Sequence, residues 1–248
     1  MRNVFAATAV LMLAVAVPAG AQAPAPGAAI SGAVADARRP AADTARDAAR
    51  KPAQIVAFAG VKPGDVVAEL LPGGGYYTRI LAAAVGPQGH VYAVVPPAFA
   101  QRPGGLDSLN ALAAQYGNIT VVAQDLAALS LPKPVDLVWT TENYHDLHNG
   151  PSANVAGVNK AMLQVLKPGG IYFVEDHSAA PGSGTSATQS LHRIDPAAVK
   201  AEVEAAGFKF DAESSVLANP DDPKTVGVRD ASVQGETEKF AIRFRKPG

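Results

Sequence analysis

Cysteine is absent from the 248-residue sequence, which excludes disulfides, thioether-linked lipid and thiolate metal sites. Basic residues are neither abundant nor clustered: 21 Lys and Arg against 22 Asp and Glu give a formal net charge of -1. No basic stripe is interleaved with aromatics, so nucleic acid is not expected as a partner. Beyond residue 17 no apolar run approaches the roughly 20 residues that a membrane-spanning helix needs. Internal repeats are also missing. A small-molecule or protein substrate is the partner class that remains, and a small molecule is the one expected.

The N-terminus has a recognisable plan. Arg2 supplies a positive start, Val4 to Val17 an apolar stretch, and Ala19-Gly-Ala21 and Ala21-Gln-Ala23 both satisfy the small-x-small cleavage rule. Pro24 disfavours the second site, so residues 1–21 are expected to be a signal peptide cut after Ala21. The mature chain is then periplasmic or secreted, with no stable membrane insertion after cleavage. Residues 22–41 are rich in Ala, Pro and Gly and are expected to form a flexible leader. About 200 residues follow, enough for one well-cored α/β domain over 42–248 and too few for two.

The most informative run is Glu69-Leu-Leu-Pro-Gly-Gly-Gly-Tyr-Tyr-Thr78, between the apolar Val66-Val67-Ala68 and a helix-like stretch from Thr78 to Val85. A strand, a glycine turn and a helix start in this order let bare backbone approach a nucleotide-like ligand. For a dinucleotide fingerprint, Gly73 and Gly75 occupy the first two positions, but Thr78 stands where the third glycine belongs. A phosphate-binding P-loop fails because no Lys-Ser or Lys-Thr pair follows. The E/D-x-G-x-G-x-G loop of S-adenosylmethionine-dependent methyltransferases is matched by Glu69, Gly73 and Gly75, with Leu71 in place of its first glycine. A tight turn with no ligand is the remaining alternative.

Further apolar segments follow in order: Gly89 to Val95, Ile119 to Asp125, Val135 to Trp139 and Leu166 to Glu175. Separated by helical patterns, they imply βαβ crossovers and a parallel sheet buried on both faces. Phe208-Lys-Phe210 and Phe240 to Arg245 alternate with period 2, as in an antiparallel pair. From about Asp43 onward the sequence resembles a class I methyltransferase, most like a group of exported bacterial members. The resemblance implies a Rossmann-like, mostly parallel seven-stranded sheet with an antiparallel C-terminal hairpin. It further implies S-adenosylmethionine as cofactor, held by Glu69, Gly73, Gly74, Gly75 and Asp125, and methyl transfer to a small or medium substrate. One departure stands out: where the family carries a ribose-binding acid after the second strand, this chain has Val95. An exported binding protein on the same scaffold, holding a metabolite or metal with catalysis lost, is therefore the alternative.

In open α/β sheets ligands sit beyond the carboxyl ends of the strands. Four of the five histidines, His145, His148, His177 and His192, fall after the fourth and fifth of these strands. His145, His177 and Asp176 are the expected catalytic residues, with His145 as base and Asp176 or Asp146 fixing its tautomer. No residue is assigned to a metal, although His145 and His148, three apart, with Asp176, His177 and His192 nearby, offer donors for one. The long connections 178–190 and 218–237 are expected to cover the site.

Overall fold

Seven strands form one sheet in the computed structural model, which describes residues 25–151 and 153–248. They are β1 (Val66–Leu70), β2 (His90–Val95), β3 (Ile119–Ala123), β4 (Val135–Thr141), β5 (Leu166–His177), β6 (Lys209–Ser214) and β7 (Lys239–Arg245). Their spatial order is β3-β2-β1-β4-β5-β7-β6. The first five strands pair in parallel, and β7 runs antiparallel to both β5 and β6. The expected sheet and hairpin are both present. The expected signal peptide lies outside the described residues.

Helices cover both faces, which is why β1, β2 and β4 are near-continuous apolar runs rather than alternating ones. On one face lie α1 (Ala28–Val34), α2 (Pro52–Ala59), α3 (Tyr76–Val85) and α4 (Asp107–Tyr116), contributing Ile30, Ile55, Ile80, Leu81 and Leu112 to one core cluster. On the other lie α5 (Val155–Val165) and α6 (Pro196–Ala205), contributing Val158, Met162, Val199 and Val203. α6 begins as its sequence dictates, with Pro196 at the first turn and the Asp195 carboxylate accepting from the Ala197 amide. The period-2 reading of Phe208 and Phe210 holds only in part. Phe208 is buried, but Phe210 is 44% exposed beside a bulge in the β6–β7 pairing.

β1 pairs with β2 on one side and β4 on the other, so the connections leave in opposite directions at that point. The crevice beyond their carboxyl ends is the natural ligand position of such a sheet. It brings together the loops after β1, β4 and β5.

The flexible-leader expectation is corrected for most of its length. Residues 28–34 form α1, with Ile30 and Ala33 buried, and the fully buried Arg39 side chain pairs with Asp47 at 2.6 Å. Asp47 also accepts from the Tyr76 hydroxyl at 2.6 Å. Composition hid this because small residues carry little burial signal of their own, while their energy comes from α3 and its neighbours. Ile30→Ala is expected to lower unfolding stability by about 2 kcal/mol or more, as for other buried truncations; a urea midpoint equal to wild type would show that α1 contributes no core.

Candidate active site

At the end of β1, Leu71 adopts φ 51, the left-handed region in which glycine is the ordinary choice. Its amide donates to the Val94 carbonyl at 2.9 Å. The Asn143 side-chain amide donates to the carbonyls of Leu70 and Leu71 at 3.2 and 3.3 Å. The turn that a glycine would permit is thus imposed on leucine by hydrogen bonds from β2 and from the loop after β4.

Gly73 and Gly74 line an open cavity of about 990 Å³, together with Glu69, Val95, Asp125 and Asn143. A Cβ built on Gly73 or Gly74 would meet nothing within 4 Å. Gly75 differs: a Cβ there would come 2.7 Å from the Leu112 side chain, and the residue does not line the cavity. Its expected ligand role is corrected to a packing role, letting α3 approach α4. Asp125 sits on the rim and caps the turn after β3, accepting from the Ala127 amide at 3.0 Å. Glu69 is buried, and its Oε2 lacks a hydrogen-bond partner among the described residues. Burial pushes its carboxyl up to about 7, against the opposing pull of Thr78 and Arg79.

A second cavity of about 610 Å³ adjoins the first and shares Arg46, Arg50, Glu142 and Asp146 with it. Glu142, at φ 54 directly after β4, is ion-paired to Arg50 and lies 3.3 Å from Lys239 Nζ. Burial opposes its ionisation, but the two cations prevail and hold its carboxyl below the usual range. Glu175 behind it is fully buried; burial and the Glu142 charge push it up to about 7.

Asp176 gathers the histidines. Its carboxylate is fully buried and accepts from the His145 amide at 2.7 Å and the His177 amide at 2.8 Å. It also contacts His145 Nδ1 at 2.9 and 3.0 Å, which fixes the ring and leaves Nε2 outward. Burial would lower the His145 pKa, yet Asp176 outweighs it and the net direction is up. His177 goes the other way, driven down to about 4 chiefly by burial; its Nδ1 meets Thr237 Oγ1 at 2.8 Å. His192 Nδ1 lies 3.2 Å from His145 Nε2. His148 turns away to Glu202, at 2.9 Å, so the sequence pair His145 and His148 does not converge.

The two connections expected to cover the site are tied to each other, but only 218–237 lines a cavity, through Val228, Gln234 and Thr237 among others, and no residue of 178–190 lines either one. The fully buried Arg193 pairs with Asp222 at 2.7 Å and donates to the carbonyls of Ser178 and Val226, each at 3.0 Å. Burial alone would raise the Asp222 carboxyl, but Arg193 and the Glu238 and Lys224 amides lower it overall.

No family model matches the sequence. The protein-L-isoaspartate O-methyltransferase of Ignicoccus hospitalis is 34% identical over 124 residues, covering 49% of this chain and 52% of that one. The chain thus spans about half the length of the curated relative it matches. A SAM-dependent methyltransferase from Aquifex aeolicus superposes with a TM-score of 0.55 at 17% identity, over 78% of this chain and 88% of the other. The arsenic(III) S-adenosylmethionine methyltransferase of Chlamydomonas reinhardtii gives 0.56 at 18% identity, over 90% and 75%. The chain has the class I methyltransferase fold.

Within this methyltransferase fold, Glu69, Gly73, Gly74 and Asp125 share one cavity, and His145 and His177 line the other with Asp176 behind them. The aromatics at and after the end of β4 are both core: Trp139 packs on Tyr77 and Phe173, and the buried Tyr144 donates to Glu202. Sequence reasoning missed Arg46, Arg50, Glu142 and Lys239 as wall residues, while Asp146, one of the two aspartates considered for orienting His145, lines both cavities. Glu142 was within reach, because it lies in the loop after β4 that the sheet rule singles out. Arg50 and Lys239 carried no local signal.

The raised Glu69 carboxyl has a stability consequence. It binds its proton more tightly in the folded state, so its contribution is complete below its unfolded value near 4.5 and is lost as pH rises through about 7. Relative to Glu69→Gln, wild type is expected to lose roughly 3 kcal/mol between pH 4.5 and pH 8. Parallel unfolding curves for the two proteins across that range would contradict the assignment.

Proposed function

We propose that the protein is an exported S-adenosylmethionine-dependent methyltransferase, periplasmic or secreted, acting on a small or medium acceptor held in the second cavity. The observation that carries the reading is the pair of adjoining cavities, one floored by bare glycine backbone and the other faced by a carboxylate-oriented histidine. Export is supported by the positive start, apolar run and small-x-small sites of residues 1–23.

The residues suit the cofactor on three counts. Gly73 and Gly74 leave open space at their Cβ positions, the Glu69 Oε2 has no partner among the described residues, and the cavity volume lies at the upper end of the usual ligand range. Glu69, Gly73, Gly74 and Asp125 would hold it. Val95 lacks the carboxylate that the family resemblance leads one to expect, a loss of roughly 1.5 to 3 kcal/mol in affinity. That departure is the one observation favouring a non-catalytic binding protein on this scaffold. When bound, the cofactor supplies a methyl group on cationic sulfur: the acceptor lone pair bonds to the methyl carbon, the carbon–sulfur pair returns to sulfur, and the acceptor proton is released.

The chain's own task is alignment and proton handling. Arg50 and Glu142 form the wall where the cavities meet. His145 presents Nε2 toward the acceptor, with Asp176 fixing Nδ1. His177, held neutral by burial, lines the same space without adding charge.

Calorimetric titration with S-adenosylmethionine and S-adenosylhomocysteine tests the reading, and no heat or thermal shift at millimolar ligand would end it. Gly74→Leu is expected to weaken nucleoside binding by about tenfold or more by filling the open floor. His145→Ala is expected to leave that binding intact while slowing methyl transfer about 100-fold or more. Equal rates for His145→Ala and wild type, once an acceptor is in hand, would remove His145 from the chemistry.

A further inference from the structure

We infer that His145, Asp146 and His192 form a binding site for one divalent transition-metal ion of the zinc type, opening into the second cavity. Its use in methyl transfer rests on the proposed function; the binding itself does not.

The geometry is specific. His145 Nε2 lies 3.2 Å from His192 Nδ1 and 3.3 Å from Asp146 Oδ1, and the last two atoms are 3.7 Å apart. Donors bound tetrahedrally at about 2.1 Å stand about 3.4 Å from one another. An ion at that distance from all three atoms would see angles of roughly 100°, 105° and 125°, around the tetrahedral value. The same three atoms belong to both distance sets, so a single point serves them all.

Electrostatics asks for a cation there. With the Nδ1 proton of His145 directed to Asp176, a neutral ring presents its lone pair at Nε2, and Asp146 Oδ1 is an acceptor. Electron pairs brought this close need either a shared proton, as in a hydrogen bond from His145 Nε2 to His192 Nδ1, or a cation between them, and a cation serves all three atoms at once. Asp176 is the carboxylate that a metal-bound histidine usually has on its other ring nitrogen, fully buried and in contact with Nδ1 through both oxygens. Two imidazoles and one carboxylate with an open side match the donor set of catalytic zinc and of other divalent first-row ions. The open side exists: the Asp146 and His192 side chains are 47% and 35% exposed, and all three residues line the 610 Å³ cavity.

The site is not the one that sequence spacing offers. His148 is committed to Glu202, and its place is taken by Asp146 and by His192, which comes from the connection after β5. An ion here would leave a position for the acceptor and lower the pKa of a bound hydroxyl. His145 then acts as a ligand, and the acceptor proton leaves to solvent or a neighbouring carboxylate.

Untagged protein stripped with chelator is to be titrated with zinc chloride by calorimetry and with cobalt(II) by visible absorption. One equivalent of zinc per chain and d–d bands of a tetrahedral or five-coordinate cobalt site are expected. Asp146→Ala and His192→Ala should each weaken zinc binding at least tenfold, Asp176→Asn about 10- to 100-fold, and His148→Ala not at all. Thermal midpoints of the metal-free variants report folding independently. No saturable binding in wild type, or undiminished binding in a His145→Ala, His192→Ala double variant that still unfolds cooperatively, would overturn the site. Zinc binding with this pattern in a protein that takes up no S-adenosylhomocysteine would remove the methyltransferase reading and leave the metal site standing.

Discussion

The Asp176 carboxylate is the interaction on which the rest of the site depends. It sits near the end of β5 without access to solvent, and everything it touches is a donor: two main-chain amides and one imidazole. A charge in that position is tolerable only because its acceptor capacity is taken up. The same bonds fasten the loop after β4 to the end of β5. Position of the loop and orientation of the His145 ring are therefore one event, not two.

Charge is arranged in pairs across the crevice. Glu142 is kept ionised by Arg50 and Lys239, whereas Glu175, with the same cations already engaged by its neighbour, has its carboxyl pushed upward. His145 and His177, near each other in space, are separated in the same way: a buried carboxylate lifts one and burial depresses the other. Titratable groups driven apart by their surroundings are a mark of functional sites. The strained backbone at Leu71 and Glu142 falls at the same place, as strain in functional loops commonly does.

Much of this was legible in the sequence, for identifiable reasons. Buried parallel strands must be apolar throughout, so the runs around Val67, Val91, Val121 and Val138 announced the sheet, and period 2 announced β7. The sheet rule pointed to the loops after the strands, where His145 and Asp176 lie, while Glu69, Gly73 and Gly74 were read from the glycine motif and the family resemblance. What stayed hidden depends on long-range contact. Arg50 meets Glu142 across 92 residues of chain, and α1 is held by side chains of α3 and its neighbours that no local window contains. The His145 and His148 pair misled because spacing says which residues are close in sequence, not where Glu202 on α6 draws a ring. Gly75 misled because a glycine can be required by a packed neighbour, here Leu112, as readily as by a ligand.

The place of β7 bears on how the molecule comes into being. It follows β6 in the chain yet is inserted between β5 and β6, and it delivers Lys239 to the wall of the second cavity. Neither the sheet edge nor that chamber can assemble until the seventh strand has left the ribosome, however early the preceding segments collapse. Such late, non-local closure lengthens the search for the native state. It also keeps the polypeptide threadable for longer.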